Sequence, residues 1–342
     1  MRFFDVPVHS FNIEITNRCT LACSECARTG NPWVRANLTD LPVEVLARVF
    51  PPERAAEFAG LHVNLCGSHG DCIYHRNFHA VLRQLKRAGI KVGMETNGSY
   101  RQAKWWAETC AILGEGDTIN FSVDGLADTN HIYRVNARWD DIEAAMRYCA
   151  PRVHTSWKFI VFRHNEHQVE EARALAEAIG VRQITFKKSA RFSADDDLAP
   201  ANVEFIGEVA RNRQAIDRLR ARGVDDETFD RHVSIRPKCH YGANLAITAL
   251  GYFYPCTSCE SGDQGTWFNR NRDAFDLRQH DIEEILASER WQDLAALWRN
   301  ASRAPASCLH YCGVHEDFDE RFPRVSPAAR PYRPADSLRV DL

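Results

Sequence analysis

Three cysteines, Cys19, Cys23 and Cys26, form a CxxxCxxC motif directly after an apolar segment at residues 11–16. Thiolates are soft ligands that favour zinc and iron–sulfur clusters. A structural zinc site needs four ligands, whereas a four-iron cluster held by three cysteines leaves one iron open to another group. The motif therefore predicts a metal centre: an iron–sulfur cluster with an open iron, or a zinc site completed by a distant His or Cys.

Five more cysteines lie in the C-terminal third of the chain, at Cys239, Cys256, Cys259, Cys308 and Cys312. Residues 247–256 are apolar and aromatic with Gly251 at their centre, a pattern that predicts a hairpin returning Cys256 towards Cys239. Clustered cysteines in a reducing compartment indicate metal ligands before they indicate disulfides. The alternatives at this second site are an iron–sulfur cluster and a structural zinc ion.

The composition of the chain is that of an ordinary soluble globular protein. The 342 residues carry 43 Lys+Arg and 46 Asp+Glu, a net charge of -3, with 44% hydrophobic residues. Near-neutral charge gives no support to a nucleic-acid or anionic-membrane surface, so a nucleic-acid partner is disfavoured without being excluded. Neither a membrane-spanning stretch nor an export signal is present in the sequence, so we expect a soluble cytoplasmic protein with no membrane partner.

Six strand patterns alternate with helical patterns over the first half of the chain. The strands are predicted at residues 11–16, 61–66, 90–95, 118–123, 155–162 and 182–187. Apolar residues spaced three and four apart predict helices that begin near Phe78 and Val169 and end at Gly89 and Gly180. Such alternation is typical of a parallel sheet, in which ligands gather at the carboxyl ends of the strands.

The regular alternation ends near residue 190, and the sequence predicts four parts: an α/β domain at 1–190, a helical linker at 191–236, a cysteine-rich domain at 237–320 and a tail at 321–342. Within the linker, a helix is predicted from about Val203 to Arg222. The tail is rich in Pro and Arg, and we expect it to be an extended segment that docks on the rest of the molecule.

Residues that could bind a ligand recur at the ends of the predicted strands. They are Gly67, Ser68, His69, Gly70 and Asp71 after the second strand, Asn97 after the third, and Ser122, Asp124 and Arg134 at or after the fourth. Taken singly, each is also compatible with an ordinary turn or a surface charge. Their recurrence in order, together with the cysteine motif, makes a common ligand site the better interpretation.

These motifs resemble the radical S-adenosylmethionine (radical SAM) superfamily over roughly residues 10 to 190. The family pattern implies that Cys19, Cys23 and Cys26 hold a [4Fe-4S] cluster whose open iron binds SAM. One departure is Glu25, because the residue before the third cysteine is often aromatic in the family. The resemblance implies a partial (β/α)6 TIM-like barrel of the α/β class.

The same resemblance implies a role for each strand-end residue. The Cys-Gly-Ser-His-Gly-Asp segment is similar to a variant of the family's Gly-Gly-Glu-Pro segment, with Asp71 placed to hold the SAM ammonium group. Asn97 lies in a Thr-Asn-Gly turn common in the family. Ser122 and Asp124 are expected beside the SAM ribose or methionine, and Arg134 is expected to pair with the SAM carboxylate, which its planar guanidinium fits.

The C-terminal region resembles the opening of a SPASM or shorter twitch extension, although the full seven-cysteine SPASM pattern is absent from the sequence. The likeness implies one auxiliary [4Fe-4S] cluster, with Cys239, Cys256, Cys308 and Cys312 as ligands. Cys259 is then the spare thiol, or it replaces a member of the last pair. A spare cysteine has a catalytic alternative as a hydrogen-atom donor.

The function implied is reductive cleavage of SAM to a 5'-deoxyadenosyl radical, which abstracts hydrogen from a substrate for oxidation, epimerisation or rearrangement. An electron donor such as flavodoxin or ferredoxin is the expected partner. Because the first strand begins about ten residues into the chain, we expect no large peptide-recognition domain before it, which favours a small molecule, sugar or modified nucleotide. The alternatives are a ribosomal peptide-modifying maturase and a non-catalytic zinc- or cluster-binding scaffold.

Overall fold

The structure is a computed structural model that describes residues 2–3, 6–189, 197–207, 211–237, 239, 245–259, 267–318 and 337–341. The strands are β1 (Arg2–Phe3), β2 (Val6–Pro7), β3 (Ser10–Ile13), β4 (His62–Leu65), β5 (Lys91–Thr96), β6 (Thr118–Ser122), β7 (His154–Ile160), β8 (Gln183–Lys187), β9 (Val233–Ile235), β10 (Leu245–Ile247), β11 (Phe253–Tyr254), β12 (Gly313–His315) and β13 (Ser337–Asp341).

The helices are α1 (Pro32–Ala36), α2 (Val43–Val49), α3 (Phe78–Arg87), α4 (Ala103–Ile112), α5 (Asn130–Tyr133), α6 (Trp139–Cys149), α7 (Val169–Ile179), α8 (Arg211–Ala221), α9 (Asp226–His232), α10 (Trp267–Arg270), α11 (Ile282–Ala287), α12 (Glu289–Leu297) and α13 (Ala306–Cys312). Short 3-10 helices cover Pro52–Phe58, Cys72–Tyr74, Glu166–Gln168, Val203–Phe205, Thr257–Cys259, Arg272–Phe275 and Glu316–Phe318.

The chain forms two compact units, residues 13–207 with 334–342, and residues 1–12 with 208–333. The first unit contains the parallel strands β4, β5, β6, β7 and β8, which are neighbours in that order after β3. An α-helix follows each of β4 to β7, so the predicted α/β class and its parallel central sheet of six strands are confirmed. The finer domain boundaries stay predictions.

The sheet has one apolar face because side chains alternate along each strand. Val63, Met94, Phe121, Phe159 and Phe186 lie on this face and are almost completely buried. The crossover helices supply matching apolar stripes. In α3 and α7 these stripes end where Gly89 and Gly180 adopt positive φ angles of 72° and 85°, as expected at a helix C-terminus.

The last described segment, β13, pairs antiparallel with β8. The sequence predicted an extended tail that docks, and Ser337–Asp341 has that form. The rest of the predicted tail, residues 321–336 and 342, lies outside the described residues, as does the predicted boundary at residue 190.

The helix predicted from Val203 to Arg222 was placed too early in the chain. Asn202 instead begins a single 3-10 turn at Val203–Phe205, where its Oδ1 accepts a hydrogen bond of 3.0 Å from the Glu204 amide. The described helix, α8, spans Arg211–Ala221. After the 3-10 turn, Ile206 adopts an extended backbone (φ -89°, ψ 127°) and forms a parallel β-bridge with Ser189, so pairing with a distant segment ends the helical turn.

The second unit contains the predicted hairpin, in which β10 pairs antiparallel with β11 and Gly251 has a φ of 86°. Strands β9 and β12 form another antiparallel pair. Phe253 contacts both Phe11 and Trp291, so the hairpin packs on apolar residues of its own unit. This unit carries the five C-terminal cysteines.

Candidate functional site

The first cysteine motif begins at a firmly held stretch of chain. Thr16 Oγ1 donates a 2.6 Å hydrogen bond to Asp40 Oδ1, and Arg18 forms an ion pair of 3.2 Å with the same carboxylate. The Asn17 side chain donates to the Asn37 carbonyl at 2.9 Å and accepts from the Thr39 amide at 2.7 Å. The entry into the cysteine loop is thus fixed before Cys19 is reached.

Cys19, Cys23 and Cys26 share one apolar environment. All three pack against the hydrophobic cluster that contains Tyr133 and Phe162, whose ring centroids are 4.4 Å apart. Burial raises the pKa of the Cys19 thiol to about 12, with the charge of Asp71 adding to the shift, and burial also raises the pKa of Cys23. Metal binding must therefore displace thiol protons.

Two neighbouring groups favour the thiolate forms. The Asn97 side-chain amide donates to Cys19 Sγ at 3.6 Å, and the positive charge of Arg134 opposes the effect of burial on Cys23. Hydrogen bonds to sulfur and nearby charge are the means by which proteins tune iron–sulfur clusters. The three thiols with these neighbours fit a cluster held by three cysteines. Glu25, the departure from the family pattern, is exposed.

The glycine-containing loop after β4 wraps around Glu14. Glu14 is buried, and its Oε1 accepts hydrogen bonds from the amides of His69 at 2.7 Å and Gly70 at 3.0 Å. A Cβ on Gly67 would overlap the Glu14 side chain, and one on Gly70 would overlap the Thr16 carbonyl. Glycine is therefore needed at both positions for the loop to lie against the chain that leads to Cys19.

Asp71 joins this loop to the end of β5. Its Oδ2 accepts from the Asn97 amide at 2.6 Å, from the Asn97 side chain at 2.5 Å and from Thr96 Oγ1 at 3.2 Å, while Oδ1 accepts from the Ile73 amide at 3.2 Å. Burial raises the pKa of Asp71 to about 6, although these hydrogen bonds oppose the rise. The carboxyl group thus holds two strand-end loops together.

Asp124 and Arg134 form a buried ion pair, with both Nε and Nη2 of Arg134 at 2.8 Å from Asp124 Oδ2. Asp124 Oδ1 also accepts a 2.7 Å hydrogen bond from the Ile160 amide, which ties the loop after β6 to the end of β7. Ser122 is the half-buried last residue of β6, paired in register with Lys158. The predicted strand-end residues therefore lie along one edge of the sheet.

Glu14 and Tyr74 support the site, although no sequence pattern predicted them as site residues. Thr20, inside the cysteine loop, donates a 2.7 Å hydrogen bond to Tyr74 Oη, which in turn donates to the Ser99 carbonyl at 3.0 Å. The signal for Glu14 was a charged residue between Ile13 and Ile15 in an otherwise apolar strand. Tyr74 gave no local signal, because its importance depends on contacts from distant parts of the chain.

The C-terminal cysteines converge within the second unit. Cys256 Sγ and Cys259 Sγ are 3.5 Å apart, and hydrogen bonding from the Cys259 thiol lowers the pKa of Cys256 to about 7. Cys308 and Cys312 lie four residues apart on α13, which packs against the 3-10 helix Thr257–Cys259. Burial raises the pKa of Cys239, and the charges of Cys256, Cys312 and Cys308 add to the rise.

All five predicted cysteines thus lie in one electrostatic neighbourhood, with the indole of Trp298 donating to Cys308 Sγ at 3.5 Å. Across the described residues, no three Cys, His, Asp or Glu side chains are already arranged to hold a single metal ion. Free thiols hydrogen-bond to one another, as Cys256 and Cys259 do here. Cys259 is not set apart from the other four, so the ligand set stays a prediction.

An α/β sheet with three free cysteines and a glycine-containing loop at one edge defines a cofactor-binding protein of the metal-cluster type. The model of the Radical SAM superfamily matches residues 13–186, which is half of the chain. The chain therefore belongs to the radical SAM superfamily, whose members are enzymes. No curated protein sequence matches it. None of the described helices is long and apolar enough to cross a membrane.

Solved structures with a similar fold include Streptococcus suis SuiB bound to S-adenosylmethionine, with a TM-score of 0.58, 13% identity, and coverage of 85% of this chain and 68% of SuiB. SuiB bound to its precursor peptide SuiA gives a TM-score of 0.56 at 13% identity, covering 82% and 65%. The protein anSMEcpe with bound AdoMet gives 0.53 at 12% identity, covering 84% and 83%. At these identities the likeness is one of fold.

Proposed function

We propose that this chain is a radical SAM enzyme in which Cys19, Cys23 and Cys26 hold a [4Fe-4S] cluster and the adjoining strand-end loops bind SAM. The observation that carries the proposal is the packing of these three free thiols on one apolar cluster, beside the side chains of Asn97 and Arg134. When bound, the cluster and SAM supply a 5'-deoxyadenosyl radical for hydrogen abstraction.

The protein's own part is to bind and orient SAM and to exclude water from the radical. Arg134 uses Nε and Nη2 for Asp124, and a guanidinium has five N–H donors, so others remain for the SAM carboxylate. Asp71 Oδ1 accepts one hydrogen bond, which leaves acceptor capacity for the SAM ammonium group. Gly67, Ser68, His69 and Gly70 contribute loop backbone, and Ser122 and Asp124 border the ribose or methionine.

We propose that the C-terminal cysteines hold one auxiliary [4Fe-4S] cluster in a twitch- or SPASM-like domain. Cys239, Cys256, Cys308 and Cys312 are the proposed ligands; the electrostatic environment that all five C-terminal thiols share supports a common metal site and does not select among them. Cys259 is then the spare thiol, and its proposed role is to donate a hydrogen atom to the substrate radical. A structural zinc ion on the same thiols is the competing assignment.

The proposed substrate is a small molecule, a sugar or a modified nucleotide, to be oxidised, epimerised or rearranged. A ribosomal peptide is the second candidate, because SuiB, which has a similar fold, is known in complex with a precursor peptide. We also propose an electron donor of the flavodoxin or ferredoxin type and a reducing, cytoplasmic location. The twelve cysteines are free thiols, which supports this location.

Anaerobic reconstitution of the full chain with iron and sulfide tests the proposal. We expect about eight irons per chain and a brown chromophore, the amount for two four-iron clusters. Incubation with SAM and a strong reductant should yield 5'-deoxyadenosine. A colourless protein with stoichiometric zinc would instead establish the scaffold alternative. Iron without SAM cleavage in the presence of reductant would contradict the enzyme assignment.

A further inference from the structure

The second face of the parallel sheet is polar. Alternation along β4 to β8 places one face under the helices, and the other carries Asn64, Glu95, Asn120, Ser156, Lys158 and Lys187. Ser156 is buried, whereas the other five side chains are only partly buried; the Glu95 side chain is 20% and the Lys158 side chain 33% exposed. The strands of a parallel sheet are ordinarily covered and apolar on both faces, so a polar and accessible second face indicates a polar ligand.

Strand register brings the charged members together. Glu95 on β5 pairs with Asn120 on β6, and Asn120 pairs with Ser156 on β7. Ser156 Oγ donates to Asn120 Oδ1, which fixes this amide. Two residues further along β7, Lys158 extends across β6 and forms an ion pair with Glu95. Lys158 is therefore held in place before any ligand arrives.

Lys187 adds a second cation that Glu95 does not neutralise. It is the half-buried last residue of β8, paired with Ile160 of β7. Burial lowers the pKa of Lys187, the charge of Lys158 lowers it further, and Glu95 acts in the opposite direction. Within the described part of the chain, no carboxylate forms an ion pair with Lys187. Two ammonium groups thus share one carboxylate.

This arrangement adjoins the proposed SAM site. The Val161 amide donates to the Lys187 carbonyl at 3.1 Å, and the preceding Ile160 amide donates to Asp124 at 2.7 Å. Lys187 is therefore at the strand edge that carries Asp124 and Arg134. Partly buried lysines without matching carboxylates are costly unless an anion compensates them.

We propose that Lys158 and Lys187 bind an oxyanion of the substrate, a carboxylate or a phosphate group, and hold it on the polar face of the sheet beside the SAM site. The inference rests on the proposed function and specifies its substrate class as anionic. Glu95 competes with the substrate oxyanion for Lys158 and so sets the affinity. Asn120 and Ser156 supply neutral hydrogen-bonding groups for the remainder of a hydrophilic molecule.

The experiment measures binding of inorganic phosphate and of acetate to the anaerobically reconstituted full chain by calorimetry, in a low-chloride buffer near neutral pH. We expect saturable binding of at least one anion, weakened about tenfold or more in Lys187→Gln and Lys158→Gln, where tenfold corresponds to about 1.4 kcal/mol. Glu95→Gln should instead tighten binding several-fold, because it frees Lys158. The preferred anion identifies the substrate group as phosphate or carboxylate.

The matched control is Lys91→Gln, at the exposed start of β5, which should bind the anion like the wild type. Acetylation of wild-type lysines, followed by peptide mass spectrometry, needs no variant: the bound anion should protect Lys187 and leave Lys91 reactive. Wild-type affinity in Lys187→Gln, weaker binding in Glu95→Gln, or unprotected Lys187 would each overturn the inference.

The two proposals fail separately. A wild-type protein that forms 5'-deoxyadenosine without saturable binding of phosphate or acetate overturns only the oxyanion site. A protein that binds one of these anions through Lys187 but does not cleave SAM overturns the proposed enzyme activity and leaves the anion site standing.

Discussion

The two cysteine groups of this protein are assembled in opposite ways. Cys19, Cys23 and Cys26 are neighbours in the sequence, and a rigid entry segment and strand-end hydrogen bonds position their loop. The C-terminal group is spread from Cys239 to Cys312 and meets only because a hairpin, a 3-10 turn and α13 come together. The three cysteines of the first site lie in one short loop, which hydrogen bonds from distant residues hold in position. The five cysteines of the second site come together only through the tertiary structure.

This difference has a chemical counterpart. The N-terminal thiols have Asn97 and Arg134 beside them, groups suited to an open iron that binds a charged ligand. The C-terminal thiols have one another, the Trp298 indole and the side chains of Ser258 and Ser307 as polar neighbours among the described residues. We infer that the first site is built to exchange a ligand and the second to hold its metal closed. The following predictions test that contrast.

The largest effect is expected from Cys23→Ala, which removes one of three proposed ligands. The variant should lose the SAM-binding cluster, so iron should fall from about eight to about four per chain, and 5'-deoxyadenosine formation should be abolished. Cys110→Ala, at a cysteine on α4 distant in sequence from both groups, is the control. Retention of SAM cleavage by Cys23→Ala would contradict the assignment of the first site.

Cys308→Ala should have a different outcome. Iron should again fall to about four per chain, but some uncoupled cleavage of SAM should continue, because the second cluster is proposed to be auxiliary. Iron analysis and chromatography of 5'-deoxyadenosine measure both quantities. Complete loss of cleavage with the first cluster intact would show that the two sites are not separable in this way.

Arg134→Gln should destabilise the fold as well as weaken SAM binding. It leaves the fully buried Asp124 without its cation, a change that typically costs about 3–5 kcal/mol. Burial already raises the pKa of Asp124, and losing Arg134 should raise it further. Because a raised folded-state pKa favours the protonated form, stability should be lost as pH rises through that pKa.

Urea unfolding of Arg134→Gln and of the wild type at pH 5 and pH 8 measures whether the loss of stability in the variant grows as pH rises. The stability deficit of the variant should be larger at pH 8 than at pH 5. Arg147→Gln removes an exposed partner of Glu143 and should change stability by about 1 kcal/mol or less at either pH. An equal deficit for Arg134→Gln at both pH values would argue against a charged Asp124 as the cause.

Gly70→Ala should weaken the first site without touching a ligand. The added Cβ overlaps the Thr16 carbonyl, so the loop must move away from the chain leading to Cys19. We expect a loss of about 1–3 kcal/mol in stability and a clear loss of SAM affinity. Gly114→Ala is the matched control, because a Cβ there meets open space. Equal SAM affinity in the two variants would show that the loop containing Gly70 does not take part in SAM binding.

The smallest effect is expected for Cys259→Ser. If Cys239, Cys256, Cys308 and Cys312 are the four ligands, iron content should remain at about eight per chain. A fall to four irons per chain would show that Cys259 is a ligand and that one of the four proposed ligands is instead the spare thiol.

Features that depend on residues close together in the sequence could be predicted, whereas features that depend on residues far apart could not. The six strands and the helices that end at Gly89 and Gly180 followed from periodicity and glycine positions, which are local properties. The helix expected from Val203 does not form there because Ile206 is extended and pairs with Ser189, a residue distant in the sequence. Glu14 and Tyr74 were missed because their partners lie between 23 and 56 residues away.

Local spacing along the chain was enough to predict the order of strands and helices and the first cysteine loop, because periodicity and the proximity of the three thiols depend on only a few consecutive residues. The tertiary structure alone decided that Glu14 organises the loop after β4, that Lys158 meets Glu95 across an intervening strand, and that five dispersed cysteines share one environment. Such contacts depend on register and packing between distant segments, which no local pattern specifies.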